Sequence, residues 1–293
     1  MVRFWSTLFL MSICRVLLAQ QFSISLGVNT GIMSSRTIDD GISRDPRYKQ
    51  YYNVKFAPIG VNIGINYEYV GLMVSPTVIN VGQNAYLLNT SNGQVGKRNI
   101  NERYLNVPVA FKVHLVNLVF LKISGIASLS AAYLIDGRET VTHNDSKLDF
   151  PKEVYPILPA DYHVEYDGVA VPVVDKYVIA GKSDFRSLQV FAGAGFQSDW
   201  DISNSWRVTF DLRINYGLFD PRTSAYISKL DARQTLYDMP GTRHDVFTQL
   251  SVGIARYIEF DKNDQDRKKK LKGSKKGYRV MPNNKVKSPR PRG

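Results

Sequence analysis

Apolar and polar residues alternate with a period of two through most of the chain after residue 20. In 104–115, Leu105, Val107 and Phe111 fall on one face, and polar or small residues such as Lys112 fall on the other. Because successive side chains of a strand point to opposite faces, this pattern predicts β-strands. Eight segments carry it: 22–32, 55–68, 70–82, 104–115, 119–133, 188–197, 206–218 and 246–260.

The connections between these segments alternate between short and long. Short ones fall near residues 69, 117 and 202, and the long ones are 33–54, 83–103, 134–187 and 219–245. Tight turns at one end, long loops at the other and an even strand number are typical of a transmembrane β-barrel. Pro76, in the third segment, would cost a ladder hydrogen bond unless it lies at a bulge. We therefore predict an all-β fold, an eight-stranded antiparallel transmembrane β-barrel over residues 20–260.

The two faces of the predicted strands differ in composition. One face carries Leu, Ile, Val and Phe, and the other mixes Gly, Ser, Asn and Gln with a few charges. A membrane barrel turns the apolar face to lipid, whereas a soluble barrel turns it inward. A secreted lipocalin-like barrel or a β-sandwich is the alternative, and the loop asymmetry and a secretory leader favour the membrane. Aromatic residues near strand ends suit an interfacial girdle: Tyr67, Tyr104, Tyr133, Trp206, Tyr216 and Phe260.

The first 19 residues have the features of a secretory signal peptide. Arg3 precedes a mostly apolar stretch, and Ala19 lies before the polar Gln20. An uncleaved helical anchor is the alternative, although the stretch is short for a membrane span. Cleavage after Ala19 would remove Cys14, the single cysteine. The mature protein would then have no disulfide and no thiol chemistry.

The net charge of +12 is concentrated at the ends of the chain. Residues 261–293 hold 13 Lys and Arg against 3 Asp, so the barrel segment is close to neutral and offers no basic face for nucleic acid. Low apolar content and one sign of charge predict that this tail is disordered. With an even strand number, both termini of an outer-membrane barrel would lie in the periplasm.

The basic tail is a candidate for docking to an acidic periplasmic surface, such as anionic headgroups or peptidoglycan carboxylates. A solvated tail without a specific partner is the alternative. The candidate contact residues are Lys268, Lys269, Lys270, Lys275 and Lys276.

A few charged residues fall on the face predicted to point into the lumen. They are Glu68, Lys112, Lys122, Arg207, Asp211, Arg213 and Glu259. Unpaired charges in a narrow interior are costly, so we expect ion pairs, with Asp211 next to Arg213 or Arg207 and with Glu68 or Glu259 next to Lys122. The alternative is a selective pathway for an anionic solute, although eight strands enclose little space.

The loop 134–187 is much longer than ordinary connections, which indicates a functional or disordered segment. Its prolines alternate with Val, Ile, Leu and Tyr, which favours extended segments packed on a surface. The loop could form a self-packed cap over the barrel mouth or a surface on which a partner docks, and the sequence does not distinguish the two. Docking candidates are Tyr155, Pro156, Ile157 and Leu158.

Several strand motifs resemble one family. Residues 104–109 (Tyr-Leu-Asn-Val-Pro-Val) are followed by a glycine-containing partner at 121–125, and 190–196 and 212–218 look like later strands of the same barrel. Over roughly residues 20–260 the chain resembles the PorT-like outer-membrane β-barrel proteins of Bacteroidota. The resemblance implies an outer-membrane barrel, and the name-giving members are accessory components of type IX protein secretion and gliding. The tail departs from the family pattern, in which the last strand closes the chain.

Catalysis is weakly supported by the sequence. The four histidines are scattered, and no nucleophile-elbow, Walker or dinucleotide-binding motif occurs in a suitable context. We expect no catalytic residues, no metal site and no cofactor. The expected function is a non-enzymatic accessory or interaction component of an envelope machine, with type IX protein secretion as the candidate. The alternatives are a small-solute channel or ligand-binding barrel, and a surface enzyme that uses His163 and Asp161.

Overall fold

Strands dominate the part of the chain that the computed structural model describes, namely residues 22–118, 120–172, 176–203 and 205–260. The predicted signal peptide and basic tail, including the five candidate lysines, lie outside these residues. Residues Ser23–Ile258 form one compact unit. No helix in the described ranges is long and apolar enough to cross a membrane.

Fifteen strands and two short α-helices are present in the described chain. The strands are β1 (Phe22–Asp39), β2 (Tyr48–Tyr51), β3 (Asn53–Tyr67), β4 (Val70–Val74), β5 (Thr77–Val81), β6 (Asn84–Leu88), β7 (Gln94–Asn117), β8 (Leu121–His143), β9 (Leu148–Asp149), β10 (His163–Tyr166), β11 (Val169–Val171), β12 (Lys176–Ala180), β13 (Leu188–Ser203), β14 (Trp206–Gly217) and β15 (Arg243–Phe260). The helices are α1 (Asp40–Arg44) and α2 (Ser224–Asp231), and a 3₁₀ turn covers Lys182–Asp184.

A closed ring of eight strand positions forms the barrel. From β7 the ring passes through β8, β13, β14, β15, β1 and β3, and β4 with β5 returns it to β7. β4 and β5 share one position because the chain breaks the ladder at Ser75 and Pro76, where a proline cannot donate a hydrogen bond. The predicted eight-stranded antiparallel transmembrane barrel is confirmed.

The apolar faces of the strands point outward and the polar faces point into the barrel. On β7, Leu105 and Phe111 are 45% and 49% exposed, while Asn106 and Lys112 are 3% and 2% exposed. The same alternation runs along β1, β8, β14 and β15. An outward apolar surface is stable only against lipid, so it defines a lipid-facing belt. Of the predicted girdle, Tyr133, Trp206 and Tyr216 are exposed, whereas Tyr104 is buried in the lumen against Phe191.

The strands continue well beyond the lipid-facing belt at one end, which we call the loop end. β7 begins at Gln94 and β8 ends at His143, and the two stay paired from Gly96 with His143 down to Asn117 with Lys122. The prediction that 83–103 and the start of 134–187 are loops is therefore wrong. The opposite end, the turn end, has short connections between β3 and β4, between β7 and β8 and between β13 and β14.

A small folded cap lies over the loop end of the barrel. β10 pairs with β11 and β11 with β9, and this three-stranded sheet packs against residues of the barrel wall. The shared core contains Ile42, Tyr48, Ala85, Leu87, Ile100, Val141, Leu148, Phe150, Tyr155, Tyr162, Ala170, Tyr237 and Met239. The long loop is thus a self-packed structure, and the connection between β14 and β15 joins it through Tyr237.

Candidate functional site

Buried ion pairs fill the mouth of the barrel at the loop end. Arg98 of β7 donates from Nε to Glu139 Oε1 of β8 at 2.6 Å and from Nη2 to Asp238 Oδ1 at 2.6 Å. Arg243 of β15 donates to Asp39 Oδ2 at 2.5 Å and to Glu139 Oε2 at 2.8 Å. These contacts join four barrel strands to the connection between β14 and β15.

A third arginine completes this set. Arg222 Nη2 lies 2.8 Å from Asp220 Oδ2, and Arg222 Nη1 lies 3.6 Å from Asp238 Oδ2. We call the set the arginine network: Arg98, Arg222 and Arg243 with Asp39, Glu139, Asp220 and Asp238. Apart from Asp220, each of these side chains is at most 1% exposed. Charges taken out of water this completely need close partners, and the network supplies them.

The arginines also keep nearby carboxyl groups ionised. Burial opposes ionisation of Asp238, but the positive charges of Arg98, Arg243 and Arg222 outweigh burial and lower its pKa. Burial likewise opposes ionisation of Asp220, and hydrogen bonds from Arg222 lower the pKa of that group. Asp238 and Asp220 are therefore carboxylates at neutral pH.

Above the network, Arg47 lies in a cage of aromatic rings. Its guanidinium carbon is 4.7 Å from the ring centres of Phe150 and Tyr155 and 5.7 Å from those of Tyr48 and Tyr237. Cations are attracted to aromatic faces at such distances. The guanidinium also donates to Asp45 Oδ2 at 2.7 Å and to the Tyr155 hydroxyl at 2.5 Å. We call this set, with Asp45, the Arg47 cage.

The Arg47 cage fastens the cap to the barrel wall. Tyr237 contacts His143 Nε2 of β8 at 3.0 Å and the Tyr162 hydroxyl of the cap at 3.2 Å. Burial raises the pKa of Tyr155 to about 12 despite the charge of Arg47, so this hydroxyl stays protonated. The cage can hold the cap closed over the mouth, because neutral aromatic side chains surround Arg47 and Asp45 pairs with its charge.

Deeper in the lumen lie four of the charged residues that the sequence placed there. Lys112 Nζ and Arg207 Nη1 each lie 3.9 Å from Asp199 Oδ2, and Arg207 Nε lies 2.6 Å from Asp201 Oδ1. Arg213 pairs with Asp211 on the same strand. Lys112, Arg207, Asp211 and Arg213 are between 2% and 9% exposed, so they fill the lumen. Asp199 and Asp201, which complete this lumen network, were not predicted.

Of the other predicted lumen charges, Glu68 lies outside the lumen, whereas Lys122 lies on the inward row of β8, opposite Asp199 of β13. Glu68 is exposed in the turn between β3 and β4, because the alternation stops when the strand ends at Tyr67, so the prediction for Glu68 is wrong. Lys122 is partly exposed near the turn end and has no ion pair among the described residues. The Glu259 side chain lies outside the described part of the chain.

The predicted docking residues divide between the inside and the surface of the cap. Tyr155 is 2% exposed in the Arg47 cage, which contradicts its prediction as a contact residue. Ile157 is 84% exposed, and Pro156 is exposed as well. Leu158 is partly buried beside a groove of about 600 Å³ that Tyr162, Val164 and Tyr166 also line.

Sequence reasoning missed both loop-end clusters. The sequence predicted loops at 33–54, 83–103 and 219–245, which contain Arg47, Arg98, Arg222 and Arg243. Above the lipid-facing belt the outside of the barrel meets water, so the outward row of a strand is polar. The inward row mixes charged residues with apolar ones such as Ile100 and Val141, so the regular alternation disappears. The remaining signal was the recurrence of Arg and acidic residues in these ranges. Among the described residues, no group of three or more His, Cys, Asp or Glu side chains could hold a metal ion.

Comparison with protein families identifies this architecture. The family model described as "Outer membrane protein beta-barrel domain" matches residues 18–221. The chain belongs to this family, and its localisation is the outer membrane. Comparison with curated proteins gives no match.

Similar solved structures are outer-membrane proteins. Neisserial surface protein A has 8% identity and a TM-score of 0.35, covering 80% of this chain and 96% of that chain. Ail, the attachment invasion locus protein of Yersinia pestis, has 12% identity and a TM-score of 0.31, covering 82% and 99%. Outer membrane protease OmpT from Escherichia coli has 7% identity and a TM-score of 0.35, covering 81% and 97%.

Proposed function

We propose that this protein is a closed, non-enzymatic outer-membrane barrel that presents its folded cap to a partner protein of the cell envelope. The single observation that carries the proposal is the filled lumen. Inward side chains at successive levels, such as Glu139, Asn106 and Asp199, are each at most 3% exposed to water. A barrel whose interior excludes water offers no path for solutes, so its function lies on its surfaces.

The cap supplies a suitable surface. Ile157 is 84% exposed, and Val164 and Tyr166, which line the neighbouring groove, are 55% and 57% exposed. Exposed apolar groups on a rigid, water-facing support are typical of protein contact sites. The Arg47 cage supports this surface from below, so a partner would meet an ordered face with little entropy left to lose.

The proposed orientation puts the cap outside the cell and both chain termini in the periplasm. Bacterial outer-membrane barrels have short periplasmic turns and longer extracellular loops, and at the turn end of this barrel three strand pairs are joined by short connections. The basic tail would then reach into the periplasm and contact an acidic envelope surface or peptidoglycan.

Type IX protein secretion is the candidate machine. Its support is the resemblance of 104–109 and the later strand motifs to the PorT-like barrels. In a host that has this pathway, deletion of the gene should impair export of cargo proteins. Normal export in the deletion strain would remove this part of the proposal and leave the closed barrel untouched.

The closed lumen has a direct test. The refolded protein should give no ion current in planar bilayers, and a variant lacking 148–171 should also be silent, because the lumen network lies below the cap. A porin measured in the same bilayer is the positive control. Stepwise conductance from the intact protein would favour the small-solute channel, and a current that appears only after cap removal would make the cap a gate.

The docking surface has its own test. Ile157→Asp should abolish capture of envelope proteins by the tagged barrel, whereas His163→Asp, at an exposed cap position that does not line the groove, should leave capture unchanged. A parallel capture with a chain ending at residue 260 separates the contribution of the tail. Equal capture by all variants would contradict a docking role for the cap.

A further inference from the structure

Three cations on the outside of the barrel differ from those inside it. Arg36 on β1 and Arg103 on β7 are exposed on the outer face, and the partly exposed Lys55 on β3 reaches Asn101 of β7. β1 and β3 are adjacent in the ring, and β5 lies between β3 and β7. We call the three cations the basic strip. The buried arginines of the mouth and the lumen all have a carboxylate partner. Within the described residues, no member of the basic strip has one within 4 Å.

Neutral groups hold the basic strip in place. Lys55 Nζ donates to Asn101 Oδ1 at 3.1 Å, and Arg103 Nε donates to Asn80 Oδ1 at 3.1 Å. Asn101 and Arg103 are two residues apart on the same face of β7, so Lys55 and Arg103 are close neighbours of like charge. The nearest carboxylate by strand register is Asp136, opposite Arg103 on β8, which accepts from the backbone N–H of Gly137.

A small recess lies beside Arg36. It has a volume of about 110 Å³ and is lined by Arg36, Gln50, Tyr51, Tyr52 and Gln83. Arg36 contacts the Tyr52 hydroxyl at 3.3 Å and Gln50 Oε1 at 3.4 Å. Gln50 Nε2 is buried there without a hydrogen-bond partner in the described part of the chain. The recess therefore offers a guanidinium and a spare amide donor, which suit an anion with several oxygen acceptors.

The height of the strip on the barrel identifies the kind of anion. On the belt side of each cation lies an exposed apolar side chain of its own strand: Ile32 below Arg36, Phe56 below Lys55 and Leu105 below Arg103. The strip thus lies at the edge of the lipid-facing belt on the loop-end side, where headgroups meet water. Basic clusters at this level attract anionic headgroups.

We propose that the basic strip binds the phosphate groups of a phosphorylated glycolipid in the outer leaflet, with one phosphate at the recess beside Arg36. The inference rests on the proposed orientation, which puts this end of the barrel in the outer leaflet. Acyl chains of the same lipid would lie on the exposed apolar residues directly below, including Phe56 and Leu105.

The test measures lipid binding to the refolded full-length protein in an uncharged detergent by native mass spectrometry. The probes are bisphosphorylated lipid A, dephosphorylated lipid A and phosphatidylglycerol. The triple variant Arg36→Gln/Lys55→Gln/Arg103→Gln should bind bisphosphorylated lipid A at least tenfold more weakly than the unmodified protein. The matched control Lys49→Gln/Lys97→Gln/Lys176→Gln removes the same charge from exposed positions farther from the belt and should stay within twofold.

Dephosphorylated lipid A should bind the unmodified protein at least tenfold more weakly than the bisphosphorylated form. Heat-modifiable gel migration checks that every variant is folded. Unchanged binding by the triple variant, or equal binding of both lipid A forms, would overturn the proposal. Preferential binding of phosphatidylglycerol would also overturn it and would indicate that the strip faces the inner leaflet. Bilayer conductance does not enter these readouts, so failure here and failure of the closed-barrel proposal are distinguishable.

Discussion

At the scale of single residues, Arg243 is the most connected side chain of the barrel mouth. Its guanidinium bonds Asp39 and Glu139 and lies 3.5 Å from Asp238, so it links β1, β8 and the connection before β15. Removal of one partner from a buried ion network leaves the others charged and unpaired. Arg243 therefore contributes to stability mainly because its removal would leave Asp39 and Glu139 buried with fewer positive partners.

We expect Arg243→Gln to lower the free energy of unfolding by about 3–5 kcal/mol, the usual effect of removing one partner of a buried ion pair. Urea or guanidinium titration in lipid vesicles measures it. Arg256→Gln on the outer face of the same strand should change the free energy by less than about 0.5 kcal/mol. Equal effects of the two substitutions would show that the arginine network contributes little to stability.

At the scale of elements, the sequence predicts the lipid-facing part of each strand and little beyond it. The alternation in 104–115 placed Leu105 and Phe111 outward and Lys112 inward, as the structure has them. The same strand continues up to Gln94, where the outward row is polar because water replaces lipid and the inward row mixes Arg98 with the buried Ile100. Long-range partners such as Arg98 and Asp238 leave no local pattern, so the loop-end clusters were not predictable.

Closure of the cap depends on the aromatic ring of Tyr155. Tyr155 contributes both a face and a hydroxyl to the Arg47 cage. We expect Tyr155→Ala to open the cap and to accelerate proteolysis within 148–171 by at least tenfold, because loss of a buried aromatic side chain typically costs about 3–5 kcal/mol. Limited proteolysis of the protein in vesicles gives the rate.

Two companion variants sharpen this comparison. Tyr155→Phe keeps the ring and loses one hydrogen bond, so its cleavage rate should lie between those of the unmodified protein and Tyr155→Ala. Ile157→Ala changes a side chain that is 84% exposed and should leave the rate unchanged. Fast cleavage of all three variants would mean that the cap is open without any substitution.

At the scale of the whole molecule, the barrel is closed at two levels by two kinds of charge arrangement. The lumen network pairs charges on the same strand, on neighbouring strands and, for Lys112 and Asp199, on strands separated by β8. The arginine network pairs charges across the mouth. Strand pairing closes the ring and buried side chains fill its interior, so we expect conformational change in the cap rather than in the barrel. This arrangement favours a barrel that holds the cap in place over a barrel that conducts solutes.

The arginine network gives the molecule a defined response to acid. The pKa of Asp238 is lower in the folded protein than its unfolded value of about 3.9, because Arg98, Arg243 and Arg222 outweigh the effect of burial. A carboxyl group with a lowered pKa stabilises the fold fully above its unfolded pKa, and this contribution is lost as pH falls toward the folded pKa. Asp238 faces these three arginines and the Tyr226 hydroxyl at 3.1 Å. Glu139 shares Arg98 and Arg243 with it.

We expect the denaturant midpoint to fall between about pH 5 and pH 3 and to fall less in Asp238→Asn, which has no carboxyl group to protonate at this position. Parallel titrations of the two proteins measure the difference, and identical slopes would mean that Asp238 titrates as it does in the unfolded chain.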